Sequence, residues 1–331
     1  MTRARSKAVR ASKGVASPLL EASAHAPGLE GEVIAAFGRR FHVQLPDGET
    51  LECVTRGRRS EFACGDRAVV QRTDRGQGVI ADASPRTSLL YRSDMFRQKL
   101  ISANVDQVVF VLAAAPSYSE ELLNRCLMAS EGAGVTPVVV LNKADLAAET
   151  AKAKADLAWL GSLGYQLLPL CAKRDMTPLM PHLSGKLSVL VGQSGMGKST
   201  IINSLVPNAA ARVNDFSTAL DAGKHTTTSA RLYHLDASSR LIDSPGLQEF
   251  GLFHLDDGAL AHALPEFRPY IGQCRFSNCR HVNEPGCAIL AAAGQGTIRP
   301  ARLALYQRLV NQHGEWRATK KTQGRQTGKH G

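Results

Sequence analysis

A strand, a glycine-rich loop and a helix are written consecutively into residues 187–206. The apolar run Leu187–Val191 leads into Gly192-Gln193-Ser194-Gly195-Met196-Gly197-Lys198-Ser199, which fits G-x-x-x-x-G-K-S/T, and helix-forming residues continue from Lys198 through Thr200 to Val206. Such a loop works only in that setting, because successive backbone N–H groups must converge on a phosphate at a helix N-terminus. In this reading Lys198 reaches the β and γ oxygens, and the Ser199 hydroxyl ligates Mg²⁺. A domain built on a parallel sheet with crossover helices is therefore expected.

The surrounding pattern agrees. Apolar strands at Val105–Ala114, Pro137–Leu141, Gln166–Leu170, Leu187–Val191 and Arg240–Ile242 alternate with helical stretches at Ser119–Gly132, Ala147–Leu163 and Lys198–Val206, and Arg231–Leu235 reads as an edge strand. Upstream, five short β-rich runs (Glu32–Ala36, Phe41–Leu45, Thr50–Thr55, Arg67–Arg72, Gly78–Asp82) are separated by turn residues and predict a small closed barrel. A five-stranded OB-type barrel, which commonly binds oligonucleotides, and an SH3-like barrel both fit that pattern. Downstream, the apolar spacing of Leu303, Leu305, Tyr306, Leu309 and Val310 predicts a helix over Pro300–Trp316. The 331 residues thus divide into a basic tail (1–28), the barrel (29–86), an α/β domain (87–252), a Cys/His module (253–316) and a second basic tail (317–331).

Two further loops belong with the first. Asn142-Lys143-Ala144-Asp145 follows an apolar strand, and an aspartate there can accept parallel hydrogen bonds from guanine N1–H and N2–H₂, a donor pair that adenine lacks. Cys171-Ala172-Lys173 closes the next strand, where its backbone could add contacts to the base. Asp243-Ser244-Pro245-Gly246 fits D-x-x-G, in which the aspartate holds Mg²⁺ through water and the Gly246 amide senses the γ-phosphate. One of Thr226, Thr227 and Thr228, with Thr227 the preferred choice, should complete the magnesium shell. The order of these loops, base recognition before phosphate loop before switches, is permuted from the usual G domain. The permutation leaves the site intact, because every loop leaves the same sheet edge. It also makes the γ-phosphate-sensing turn run directly into the C-terminal module. The position after D-x-x-G, where many GTPases carry a water-orienting glutamine, is Leu247, which can neither donate nor accept. His225, directly before the threonines, is the candidate catalytic residue, ahead of Gln248.

Cys274-x₄-Cys279-x-His281-x₅-Cys287 places three thiolates and an imidazole within fourteen residues, a closed set for one structural zinc ion. Cys53, Cys64, Cys126 and Cys171 stand singly and read as core residues. The formal charge of +11 lies almost wholly in the two acid-free ends, which carry ten Lys or Arg and leave the body near +1. Basic arms without apolar residues suit a polyanionic partner. The longest apolar run, Val108–Ala115, is too short to cross a membrane, and no secretory h-region follows the basic start, so a cytoplasmic protein is expected.

A barrel, a G domain permuted in the order N-K-x-D, G-x-x-x-x-G-K-S, D-x-P-G, and a C-x₄-C-x-H-x₅-C module together resemble the ribosome small-subunit-dependent GTPases, the RsgA or YjeQ family, over residues 29–316. The resemblance implies GTP hydrolysis to GDP and phosphate stimulated by the small (30S) ribosomal subunit, with barrel and zinc module gripping ribosomal RNA during late assembly of that subunit by a monomeric factor. One departure is visible: Asp221-Ala222-Gly223-Lys224-His225-Thr226-Thr227 lacks the first glycine of the family's Gly-x-Gly-Lys/Arg-His-Thr-Thr run. A rival reading is a zinc-dependent nucleic-acid-binding protein for which GTP is a slowly hydrolysed conformational ligand.

Overall fold

Alternating apolar residues close the first sheet on itself. The computed structural model describes residues 28–56, 62–93, 98–206, 230–244 and 252–327. Strands β1 (Leu29–Phe37), β2 (Arg40–Gln44), β3 (Thr50–Thr55), β4 (Arg67–Asp74) and β5 (Gln77–Ala83) join in the ring 1-2-3-5-4-1, antiparallel except for the parallel β3–β5 pair. That parallel closure is the OB arrangement and removes the SH3-like alternative. Val33, Phe41, Val43, Leu51, Cys53, Val70 and Ile80 fill the interior. Asp66, fully buried, accepts from the Ala63 amide at 2.8 Å and from two nitrogens of Arg86 at 2.6 and 2.8 Å, tying the approach to β4 to the end of the barrel.

A hairpin of β6 (Leu89–Ser93) and β7 (Gln98–Ala103), which the sequence pattern did not reveal, links barrel to α/β domain. Its polar stretch hides the few residues, Leu90, Ile101 and Ala103, that it buries. Gly65 makes the junction close: at φ +90° it sits where a Cβ would lie 2.2 Å from the Ala103 carbonyl oxygen. The α/β domain runs β8 (Gln107–Ala113), α1 (Glu120–Gly132), β9 (Thr136–Asn142), α2 (Ala147–Asp156), α3 (Trp159–Ser162), β10 (Gln166–Pro169), α4 (Met180–Leu183), β11 (Leu187–Val191), α5 (Lys198–Leu205), β12 (Arg231–His234) and β13 (Arg240–Asp243). The sheet order is β10-β9-β8-β11-β13-β12, parallel throughout except β12. Strand β8 is buried on both faces: Val108, Phe110 and Leu112 face the layer containing α1, while Val109, Val111 and Ala113 face the layer containing α4 and α5.

Two expectations are corrected. Ala147–Leu163 is two helices, because the chain turns after Asp156 to lay Trp159 and Leu160 toward the C-terminal module. Strand β12 is not a free edge, since Arg231 pairs with Ala35 of β1 and joins barrel and α/β sheet into eleven continuous strands. The C-terminal module comprises α6 (Asp257–His262), a 3₁₀ turn (Pro265–Tyr270), α7 (Ala288–Gly294) and α8 (Pro300–Thr327). Helix α8 runs on past Trp316 into the basic stretch, where no apolar residue beyond Ala318 marks its continuation.

The C-terminal module shares one apolar cluster with α1: Leu123 and Leu127 pack in the same core as Leu260, Phe267, Ile289, Leu305 and Tyr306. Inside it lies Arg302, fully buried, which donates through Nε and Nη2 to the Glu266 carboxylate, through Nη1 to Asn124 Oδ1 of α1 at 2.9 Å, and stacks 5.3 Å from the Trp159 ring. A buried pair is costly to break because the survivor stays desolvated. Arg302→Ala should therefore loosen the module by about 3–5 kcal/mol. Hydrogen exchange in α1 and α8 measures this, and unchanged protection relative to the barrel would show that the pair contributes nothing to docking.

Candidate nucleotide site and metal centre

The C-terminal ends of β9, β11 and β13 bring the base loop, the phosphate loop and Asp243 to one sheet edge. Asn142, buried at the end of β9, donates from Nδ2 to the Met196 carbonyl at 2.9 Å and accepts at Oδ1 from the Ala172 amide at 3.1 Å. One side chain thus fixes the relative positions of all three base and phosphate loops. Gly197, at φ +95°, completes the contact: a Cβ there would lie 2.2 Å from Asn142 Nδ2. Lys143, also left-handed at φ 59°, sends its ammonium to the Ala115 carbonyl at 2.8 Å, while the Ala144 amide donates to Leu170 at 3.0 Å. Asp145 is left exposed at the rim, free to meet a base.

Cys171 departs from its expected place in the core. It is only partly buried, and its thiol donates to Asp145 Oδ1 at 3.2 Å. That hydrogen bond is the foremost cause holding the Asp145 carboxyl below its usual range. Hydroxyls and thiols at this offset are too common in sequence to mark the role. Cys53, Cys64 and Cys126 are buried as expected.

Lys198 opens α5 and donates to the Gly192 and Gln193 carbonyls of its own loop at 2.5 and 2.9 Å. Burial lowers its pKa, opposed by the Asp243 charge. Ser199 is exposed on the first turn of α5, with Thr200 partly buried beside it, and Ser194 and Gly195 are exposed at the loop crown. The Gln193 side chain, a variable position of the motif, accepts the Ser119 backbone N–H at 2.9 Å, and Ser119 in turn caps α1 by accepting from Leu122 N at 3.1 Å. His225, Thr226, Thr227, Thr228, Gly246, Leu247 and Gln248 lie outside the described residues.

The Cys/His quartet assembles as its spacing predicts. The ligand atoms of Cys274, Cys279, His281 and Cys287 lie within 4.8 Å of one another. Cys274 Sγ and Cys287 Sγ are 3.8 Å apart, and His281 Nδ1 lies 3.5 and 3.4 Å from them. Zinc bonds of ~2.3 Å to sulfur and ~2.0 Å to nitrogen give tetrahedral edges of about 3.8 and 3.5 Å, so the donor set fits zinc with Nδ1 as the imidazole ligand. Cys287 also caps α7, its sulfur accepting from Leu290 N at 3.5 Å, which sets the ligand at a helix terminus.

A phosphate loop and an N-K-x-D loop on one edge of a sheet, in permuted chain order, define a circularly permuted P-loop GTPase domain. The family model described as RsgA GTPase matches residues 83–253. The small ribosomal subunit biogenesis GTPase RsgA of Nitrosospira multiformis is 53% identical over 288 residues, covering 87% of this chain and 92% of its own. The protein of that name from Ralstonia pickettii is 48% identical over 295 residues, covering 87% of this chain and 94% of its own. Among solved structures, YjeQ from Thermotoga maritima superimposes with a TM-score of 0.66 at 27% identity, covering 86% of this chain and 98% of its own. YloQ, titled a circularly permuted GTPase, gives 0.63 at 25%, with 89% and 98% covered. The chain belongs to the RsgA GTPase family.

Burial pushes the Asp243 carboxyl up to about 6, with the nearby Lys198 charge opposing. Its folded pKa is above its unfolded value near 3.8, so the folded protein binds the extra proton between those limits. The carboxyl therefore costs no stability below pH 4, and its full cost appears as pH rises through 6. Asp243→Asn should stabilise the ligand-free protein by about 1–3 kcal/mol at pH 8 and little at pH 4. Thermal unfolding of both proteins at the two pH values tests this, and an equal difference at both would refute it.

Proposed function

We propose that this chain hydrolyses GTP as a factor in biogenesis of the small ribosomal subunit, acting in the cytoplasm as a monomer whose turnover the 30S particle stimulates. The observation that carries the reading is Asn142, which locks a guanine-type loop to a phosphate loop within a chain that also holds a Cys₃His module. The names of the relatives support the ribosomal role, and their standing as GTPases disfavours a binding protein that uses GTP only as a ligand.

In this reading Asp145 accepts the two guanine N–H groups, oriented by Cys171, while Asn142, Lys143 and Ala144 brace the loop. The amides of residues 192–200 cradle the phosphates, and Lys198 exchanges its two carbonyl partners for phosphate oxygens. Ser199, Thr227 and Asp243 would hold the magnesium ion, whose bound charge offsets that of the phosphates. Gly246 senses the γ-phosphate, and His225 positions the attacking water. Zinc held by Cys274, Cys279, His281 and Cys287 keeps the C-terminal loop folded. Barrel and zinc module contact ribosomal RNA, and the basic ends add phosphate contacts. Seven and eight residues after Gly246, Phe253 and His254 pack on this clamp: Phe253 on His313 and Trp316 of α8, and His254 on Tyr91 of the β6–β7 hairpin.

Turnover measured with 30S, 50S and 70S particles added separately should rise with 30S alone, and its absence there would overturn the reading. Asp145→Asn should shift preference from GTP toward xanthosine triphosphate, whose exocyclic oxygen meets the new amide; a retained GTP preference removes the base assignment. His225→Ala should keep GTP and 30S binding while losing most stimulated turnover. A wild-type stimulated rate in that variant would clear His225 of the role.

A further inference from the structure

The zinc loop carries a feature that its metal does not need. Between the ligands Cys274 and Cys279 the chain bulges outward, leaving Arg275, Phe276, Ser277 and Asn278 all exposed. Phe276 is 41% exposed, and it is the one aromatic side chain among the large exposed hydrophobics of the described residues. It is held firmly. Its carbonyl accepts the Cys279 amide at 3.2 Å, the Arg275 amide donates to Gly286 at 3.0 Å, and both flanking sulfurs face the metal centre. The Arg275 guanidinium lies over the ring, 5.4 Å from its centroid, its stem packs on Gly286, and among the described residues Arg275 forms no ion pair. No acidic residue occurs from Phe267 through Asn283.

A partly exposed ring with a guanidinium over one face and free of any carboxylate partner, with a hydroxyl and a carboxamide next in sequence, supplies the groups that grip an unpaired nucleotide: a second ring face for the base, a charge for the phosphate and polar groups for the base edge. We propose that Phe276 is a stacking platform for one unpaired RNA base, with Arg275 engaging the adjoining phosphate. The proposal rests on the small-subunit reading above and deepens it by naming the contact. A pocket on a protein partner would need only apolar bulk at this position, whereas a base needs a flat π face, and the two demands separate by substitution.

Binding of the zinc-loaded full-length protein to purified 30S subunits, with a non-hydrolysable GTP analogue, is measured for wild type, Phe276→Ala, Phe276→Leu and Phe276→Trp, alongside titration with a short single-stranded oligouridylate. Phe276→Ala and Phe276→Leu should each weaken both interactions about 5- to 150-fold, the range for losing one stacked base. Phe276→Trp should bind within about threefold of wild type, its added fluorescence quenched by the oligonucleotide, since an indole stacks at least as well as a phenyl ring. Metal analysis should return one zinc per chain throughout, which separates loss of the ring from loss of the loop. Wild-type affinity in zinc-replete Phe276→Ala overturns the proposal. Wild-type affinity in Phe276→Leu does the same, because it assigns the ring to a protein pocket. If wild type itself neither binds nor responds to 30S, the small-subunit reading fails, and the oligouridylate titration still decides the platform.

Discussion

A buried carboxamide organises the nucleotide site. Hydrogen-bonding groups that leave water must find partners inside the protein, and Asn142 finds one in the phosphate loop and one in the loop after β10. Neither partner can move away without stranding a polar group, so the three loops behave as one rigid edge. The absence of a Cβ at Gly197 is part of the same arrangement, because the amide occupies the space that a side chain would need. Rigidity at this point is what permits permutation: cutting and rejoining the chain elsewhere does not disturb loops braced by contacts across the sheet edge rather than along the backbone.

The same logic recurs at the docking of the C-terminal module, with higher stakes. Arg302 carries a full charge into an apolar core, where it is balanced by Glu266, Asn124 and the face of Trp159. Outside this centre the contact is reinforced by exposed pairs, Arg299 with Glu120 at 3.0 Å and Arg308 with Glu121 at 3.1 Å, each worth far less in water. All of these α1 residues lie within two turns of Ser119, whose amide is held by Gln193 of the phosphate loop. The nucleotide site and the metal module are thus attached to the same short helix.

Motifs whose chemistry demands fixed spacing were readable from sequence. The phosphate loop, the N-K-x-D loop and the Cys₃His quartet each need particular side chains at particular offsets, and the chain supplies them contiguously or nearly so. Strand β11 could be delimited because its apolar run starts after Lys186 and meets Gly192. What escaped were pairings between distant residues. Arg302 looks like any surface arginine on an amphipathic helix, since its partners stand 36 and 178 positions away. Cys171 meets Asp145 only after β10 aligns with β9. The β6–β7 hairpin buries too few residues for alternation to show, and the basic end of α8 has no apolar face to count.

The single register pair between Ala35 and Arg231 has a consequence for how the molecule stays in solution. An α/β sheet ending in β12 would present a row of unpaired backbone donors and acceptors, a template for strands of other molecules. The barrel's first strand pairs with that row at its start, Arg231, and Glu32 reinforces the seam through Arg240 at 2.5 Å. The barrel therefore serves as the sheet's end cap as well as a candidate RNA-binding element. Removing it would uncover an adhesive edge, and a truncated GTPase domain would suffer from self-association before any loss of nucleotide chemistry.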